Sequence, residues 1–222
     1  MNSTNVTTED ALSPKSPDEA IQKILAAEFS QYQPAISQAM PALVYLIGHI
    51  VYPKVKLLPH TGISVKVKSV SLPIGAGLGS SAAFNVALSA ACIRLYSKLQ
   101  DPDNTLTTAT TTIPSEYLDI INEWAFIGEV LIHGTPSGLD NTTSTFGGML
   151  QFTRKEGGTN EFTKMTNSAD LNILLINTKV PRSTKALVAG VRVLHDTFPE
   201  IIQPIFKSIQ EITYRFLQIS SR

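Results

Sequence analysis

Three alternate glycines, two adjacent serines and two spaced carboxylates are the residues in this sequence that could do chemistry together. Gly75, Gly77 and Gly79 lie in the stretch Leu72-Pro-Ile-Gly-Ala-Gly-Leu-Gly-Ser-Ser-Ala-Ala83, between a segment of strand-like alternation and a long apolar helix. Glycines at this spacing open backbone conformations closed to other residues, so that several N–H groups converge on one anion. A helix opening at Ser80 or Ser81 adds unpaired N–H groups and the positive end of its dipole. The stretch predicts a phosphate cradle, with ordinary turn glycines as the alternative.

Two familiar glycine patterns do not fit. A P-loop requires Gly-Lys-Ser/Thr, whereas Gly79 is followed by Ser80 and no lysine occurs between Lys68 and Lys98. The dinucleotide fingerprint requires G-x-G-x-x-G, and Asp101, at a suitable distance for a ribose ligand, sits in the turn-like Gln-Asp-Pro-Asp-Asn.

Glu129 and Asp140 stand eleven positions apart, across a helix end, a Gly-Thr-Pro-Ser-Gly turn and a helix start, which brings two carboxylates to one rim. Phosphoryl transfer uses magnesium on hard oxygen ligands, a polarised hydroxyl nucleophile and positive charge around the migrating group. Glu129 with a loop serine could hold the metal, and Asp140 could accept the proton of the attacking hydroxyl. Other readings stay open on the residues alone. Glu129 could be a solvated helix residue, and Ser137 with Asp140 fits the S-x-x-D capping box. Lys179, Arg182 and Lys185 could be solvated surface charges, and His133 could serve the carbonyl end of its helix.

The elements that must position these groups follow from pattern. Ser16-Pro17-Asp18-Glu19 predicts a capped helix start with an inward stripe of Ile21, Ile24, Leu25 and Phe29. A second helix runs from Pro34 and stops before Pro53. Ile63, Val65 and Val67 alternate with Ser64, Lys66 and Lys68, predicting a half-buried strand. The helix after the glycine loop, Ser81 to about Lys98, turns Phe84, Leu88, Cys92 and Leu95 inward. Another, Ser115 to His133, turns Leu118, Ile121, Trp124, Ile127 and Leu131 inward and ends at Gly134. A short helix then leads into a strand near Phe152, and residues 155–160 read as a turn. Leu171 to Ile176 predicts a strand covered on both faces. A helix capped by Ser183 or Thr184 follows, and a last one from about Pro204 carries an Ile205, Ile209, Ile212, Phe216 and Ile219 stripe that calls for a covering sheet.

A chain of 222 residues with 43% hydrophobic content can bury a sizeable core. Lysine plus arginine balances aspartate plus glutamate at 18 each, so nothing global attracts nucleic acid or an anionic membrane. The single cysteine, Cys92, excludes an intramolecular disulfide and reads as a buried thiol. With no signal-peptide pattern and no run of transmembrane length, a cytoplasmic setting is the expectation, and the Asn-x-Ser/Thr triplets at Asn2, Asn5 and Asn141 read as chance matches.

Three stretches carry a resemblance to a known family. Pro73 to Ala83 resembles the nucleotide loop of the mevalonate kinase family, within the GHMP kinase superfamily. Trp124-Ala-Phe-Ile-Gly-Glu-Val-Leu-Ile-His-Gly-Thr-Pro-Ser-Gly-Leu-Asp-Asn141 is similar to its segment bearing a metal-binding glutamate and a catalytic aspartate. Asn177-Thr-Lys-Val-Pro-Arg-Ser-Thr-Lys-Ala-Leu-Val-Ala-Gly-Val-Arg192 is similar to the segment opening its second half. Galactokinases and homoserine kinases share only the loop, and loosely, so the last two stretches give the resemblance its specificity.

The resemblance implies an α/β, two-layer GHMP kinase fold: a ribosomal S5 domain 2-like nucleotide-binding domain over residues 16–170, after a loose tail at 1–15, and a partial ferredoxin-like domain over 171–222. It implies ATP-dependent phosphorylation of mevalonate to 5-phosphomevalonate in isoprenoid and sterol synthesis, with ATP and Mg2+ as cofactors and a homodimer as one assembly. Gly75, Ala76, Gly77, Leu78, Gly79, Ser80, Ser81 and Ala82 would cradle the ATP phosphates. Ser81 and Glu129 would hold Mg2+, Asp140 would deprotonate the mevalonate hydroxyl, and Thr184 would approach the substrate. Two family elements have no counterpart: an opening Pro-Gly-Lys…Gly-Glu-His segment with a catalytic lysine, and a closing glycine-rich segment. The expectation is therefore an internal portion with little kinase activity of its own, against an alternative of a catalytically inactive fragment or non-enzymatic binding remnant.

Overall fold

The computed structural model describes residues 12–55, 62–70, 72, 77–101, 112–155, 160–165, 172–176, 180 and 184–220. Helix α1 is Glu19–Phe29, and α2 is Pro34–Leu46, continued by a π-helical turn over Ile47–Val51 and by α3, Tyr52–Val55. The long α4, Ser80–Gln100, follows the glycine loop. A 3-10 turn at Ser115–Tyr117 leads into α5, Leu118–His133, and the short α6, Leu139–Phe146, precedes an antiparallel hairpin of β1, Met149–Arg154, and β2, Asn160–Met165. Helices α7, Thr184–Thr197, and α8, Pro199–Ser220, pack against each other. Among the described residues, no helix is long and apolar enough to cross a membrane.

The core is where α2, α4 and α5 meet. Leu46, Ile50, Ile93, Ile121 and Trp124 are fully buried there, with Leu88, Cys92 and Ile127 beside them and Phe84, Leu95 and Leu131 packed on the margin. Both stripes expected of α4 and α5 therefore face inward, as a period of 3.6 residues requires. Burial pushes the Cys92 thiol up to about 12, so at neutral pH it stays protonated.

Several expectations are corrected. Residues 12–15, the end of the expected loose tail, are fastened to the core: Leu12 is buried, Trp124 Nε1 donates to its carbonyl at 2.8 Å, and Tyr45 Oη donates to the Lys15 carbonyl at 3.0 Å. The remainder of that tail lies outside the described residues. The cap of α1 is Asp18, which accepts from the Ile21 N–H at 2.7 Å, so Pro17 stands before the helix; Ile21 and Ile24 on its expected inward stripe are exposed. The second helix runs past Pro53 because the π-helical turn, whose Tyr52 N–H bonds back to Ile47, widens the ladder where a proline ring would press on the preceding turn. The last helix begins at Pro199, five residues before the expected start, with Pro199 at its first position and Pro204 within it.

The strand expected at 63–67 is absent: these residues are irregular and exposed. Residues 172–176 are likewise irregular, with Ile173 to Ile176 open to solvent rather than covered on both faces. A strand exists only as one side of a hydrogen-bonded ladder, and no described segment pairs with either. Conversely, β2 carries too little alternation to be read from sequence and is specified by its partner, with Phe162 opposite Phe152 and their rings 5.5 Å apart. The α8 stripe has the expected spacing, yet Ile205, Ile209, Ile212 and Ile219 are all exposed.

Ile93→Ala at the centre of the core is expected to lower the unfolding free energy by about 2–5 kcal/mol, followed by the fluorescence of Trp124 during urea unfolding. Ile212→Ala, on the exposed stripe, is expected to stay within about 0.5 kcal/mol of the unsubstituted chain. Equal effects at the two positions would contradict this placement of the core.

Candidate active site

The glycine loop delivers its chain to the first turn of α4. Gly79 caps that helix at φ +68°, a left-handed conformation that glycine adopts without the penalty of a Cβ. The ladder starts with Ala83 N–H donating to the Gly79 carbonyl at 3.0 Å. The N–H groups of Ser80, Ser81 and Ala82 thus have no acceptor inside the helix, leaving donors at the positive end of a helix of 21 residues. Gly75 and Ala76 lie outside the described residues. Gly77 and Leu78 are described, and with Gly79 they line one wall of a cleft of about 320 Å³.

Glu129 is not the solvated helix residue that spacing alone left open. It projects from α5 into the crossing with α4 and is only 3% exposed. Ser81 Oγ donates to its Oε2 at 3.3 Å, and Asn85 Nδ2 donates to its Oε1 at 2.8 Å. His133, one turn on, places Nε2 3.1 Å from Ser81 Oγ and 3.8 Å from Glu129 Oε2. The histidine read as serving a helix end therefore borders the carboxylate instead. Asn85 escaped the sequence reading altogether. Its signal was a polar row at Ser81, Asn85 and Ser89, four residues apart, running through an otherwise apolar helix face.

Asp140 opens α6 and faces the loop from the other side. A Cβ built on Gly79 would stand 3.8 Å from both Cβ and Cγ of Asp140. Ser137 Oγ accepts from the Leu139 N–H at 3.2 Å, a serine turn ahead of the helix rather than a capping box, since Gly138 is the cap and has no side-chain bond; Asp140 lines the cleft with Leu139, Thr143, Ser144 and Met149. The next residue fixes the helix: Asn141, 2% exposed, donates Nδ2 to Asn122 Oδ1 at 2.7 Å, and Asn122 Nδ2 donates to Thr142 Oγ1 at 3.3 Å. Asn160 Nδ2 donates to the Ser137 carbonyl at 2.8 Å and ties the hairpin to the same turn. Of the basic residues after the second half begins, Lys179 and Arg182 lie outside the described residues. Thr184 is the first residue of α7, and its side chain and that of Lys185 lie outside them too.

Burial pushes the Glu129 carboxyl above its ordinary value, and the charge of Asp140 adds to that push, against the opposing Asn85 amide, His133 and Ser81. Unfolded, the group titrates near about 4.3. The folded chain binds this proton more tightly, so the stability it contributes is present below the unfolded value and is lost as pH rises through the folded one. Glu129→Gln keeps an acceptor for Asn85 and has no charge to bury. Its stability relative to the unsubstituted chain is expected to increase from about pH 4 to about pH 8 without divalent metal, read from urea midpoints. A difference that stays flat over that range would contradict the burial account.

Residues 44–148, from α2 to the glycine before β1, match the family of GHMP kinases N terminal domain. The chain is 41% identical to human mevalonate kinase over 182 residues, which is 81% of this chain and 43% of the human protein. It is 50% identical to the mouse mevalonate kinase over 144 residues and 39% identical to the Arabidopsis thaliana one over 142. The chain spans less than half the length of these relatives, 34% of the mouse protein and 35% of the plant one. The segment that carries the glycine loop, Glu129 and Asp140 is thus the part of the chain similar to the GHMP kinases N terminal domain.

Proposed function

We propose that this chain supplies the phosphoryl-transfer site of a mevalonate kinase, acting in the cytoplasm on mevalonate and ATP to give 5-phosphomevalonate and ADP. The observation that carries the reading is the approach of Asp140 to Gly79, which sets a carboxylate beside the mouth of an anion cradle in one cleft. In this reading residues 16–170 form the nucleotide-binding domain and 171–222 begin a second one. The N–H groups from Gly75 to Ala82 donate to the phosphate oxygens, as a helix N-terminus does for any polyanion.

Ser81 and Glu129 fit a magnesium ion. Both offer oxygen, and Oγ and Oε2 lie 3.3 Å apart, close to the separation of about 3 Å between neighbouring vertices of an octahedron with bonds of about 2.1 Å. Among the described residues the buried Glu129 carboxylate has His133 as its ion-pair neighbour, 3.8 Å away, and a divalent ion would add a stronger counter-charge. When bound, the ion would neutralise charge developing on the phosphate oxygens. Asp140, which lines the cleft beside the glycine loop, takes the proton from the attacking hydroxyl. The Asn141–Asn122 pair holds the start of α6 in place, so that this carboxylate does not drift from the loop. Thr184 is assigned to the substrate side, and a homodimer is the proposed assembly.

Asp140→Asn is expected to remove the small mevalonate-dependent ADP release of this chain while leaving ATP affinity within about twofold. ADP release is followed in a coupled assay and ATP binding by calorimetry. Unchanged turnover in the variant would contradict the role of Asp140, and a matching loss of ATP affinity would make it a binding residue instead.

A further inference from the structure

The Glu129 carboxylate is aimed from behind. Asn85 is wholly buried, and its Nδ2 donates to Glu129 Oε1 at 2.8 Å while Oε2 is left turned toward Ser81. The amide orientation is set by chemistry, since only its nitrogen can face a carboxylate oxygen. Its Oδ1 is then left buried without a partner, against Gly128 of the facing helix. A Cβ on Gly128 would overlap that side-chain amide, so the close crossing of α4 and α5 and the Asn85–Glu129 bond depend on the same glycine. An unpartnered buried oxygen is costly, and a leucine of similar size would avoid it. The arrangement therefore favours the carboxylate over the stability of the helix pair.

We propose that Asn85 is a positioning residue that holds Oε1 of Glu129 so that Oε2 presents to the divalent cation, and thereby sets metal affinity. This rests on Ser81 and Glu129 being the metal ligands. Hydrogen-bond donors behind a ligand commonly govern affinity by about 10–100-fold, because they fix the ligand's orientation before the ion arrives. Asn85 is wholly buried and its amide donates to Glu129 Oε1, so its route to a bound ion is through Glu129.

The test is Mn2+ binding to the 222-residue chain, read by the electron paramagnetic resonance signal of free Mn2+ with and without ATP. Asn85→Leu is expected to weaken Mn2+ binding by about 10–100-fold and to leave metal-free ATP affinity within about twofold. Ser89→Ala, one turn along α4 and equally buried, controls for packing and is expected to leave Mn2+ affinity unchanged. In a Glu129→Gln background, Asn85→Leu is expected to have no further effect. If Asn85→Leu does not fold, Gly128→Ala carries the test, since it displaces the amide while keeping both groups, and the same weakening is expected. Undiminished Mn2+ affinity in the folded variant, or an equal loss in the Glu129→Gln background, would overturn the inference while leaving the metal site itself standing. No saturable Mn2+ binding by the unsubstituted chain would remove the metal reading and this inference with it.

Discussion

A carboxylate buried where two helices cross is the constraint on which the rest of this structure depends. Glu129 is nearly inaccessible, and the groups around it are a serine hydroxyl, an amide and the His133 imidazole. Desolvation outweighs these donors and leaves the proton held more tightly than in water. Such a group is tolerated only in a scaffold stable enough to carry it. Here that scaffold is the apolar packing of α2, α4 and α5 around Ile93, Ile121 and Trp124, on the far side of the same crossing. The helices approach closely because Gly128 has no side chain, and that proximity brings Ser81 and Asn85 within reach of the carboxylate.

The second carboxylate is held differently. Asp140 stands at the start of a short helix, lines the cleft and owes its position to neighbours rather than to partners of its own. Asn141 is clasped by Asn122 on α5, the Ser137 turn is clasped by Asn160 of the hairpin, and the aspartate stands beside the loop at Gly79. One helix, α5, therefore sets both carboxylates: it carries Glu129 near its end and Asn122 near its start. The two carboxylates thus sit in unlike environments, Glu129 buried between helices and Asp140 open to the cleft, and unlike environments are what separate the roles of paired carboxylates.

Much of this was legible in the sequence where a single local rule decided the outcome. The 3.6-residue stripes of α4 and α5, the Gly134 stop and the Gly79 junction depend on nearby residues, and so do the candidate loop, Glu129 and Asp140. What depended on distant partners was not legible. Ile63 to Val67 has strand alternation but no described ladder, β2 is a strand because β1 lies beside it, and Leu12 to Lys15 is ordered by Trp124 and Tyr45. Asn85 and His133 belong to the same class: each looks like an ordinary helix residue until another helix is set against it. The π-helical turn before Pro53 shows the limit of a local rule, since packing around Ile50 and Val51 holds a helix through a residue that commonly ends one.

The central claim is that the loop, Ser81, Glu129 and Asp140 form one site for a metal-bound triphosphate. A crystal structure of the chain with Mg2+ and a non-hydrolysable ATP analogue tests it most directly. The account predicts the ion on Ser81 Oγ and Glu129 Oε2, the phosphates against the N–H groups of the Gly79–Ala82 turn, and the terminal phosphate facing Asp140 across the cleft. An ion bound elsewhere, or phosphates that leave this helix start empty, would contradict it.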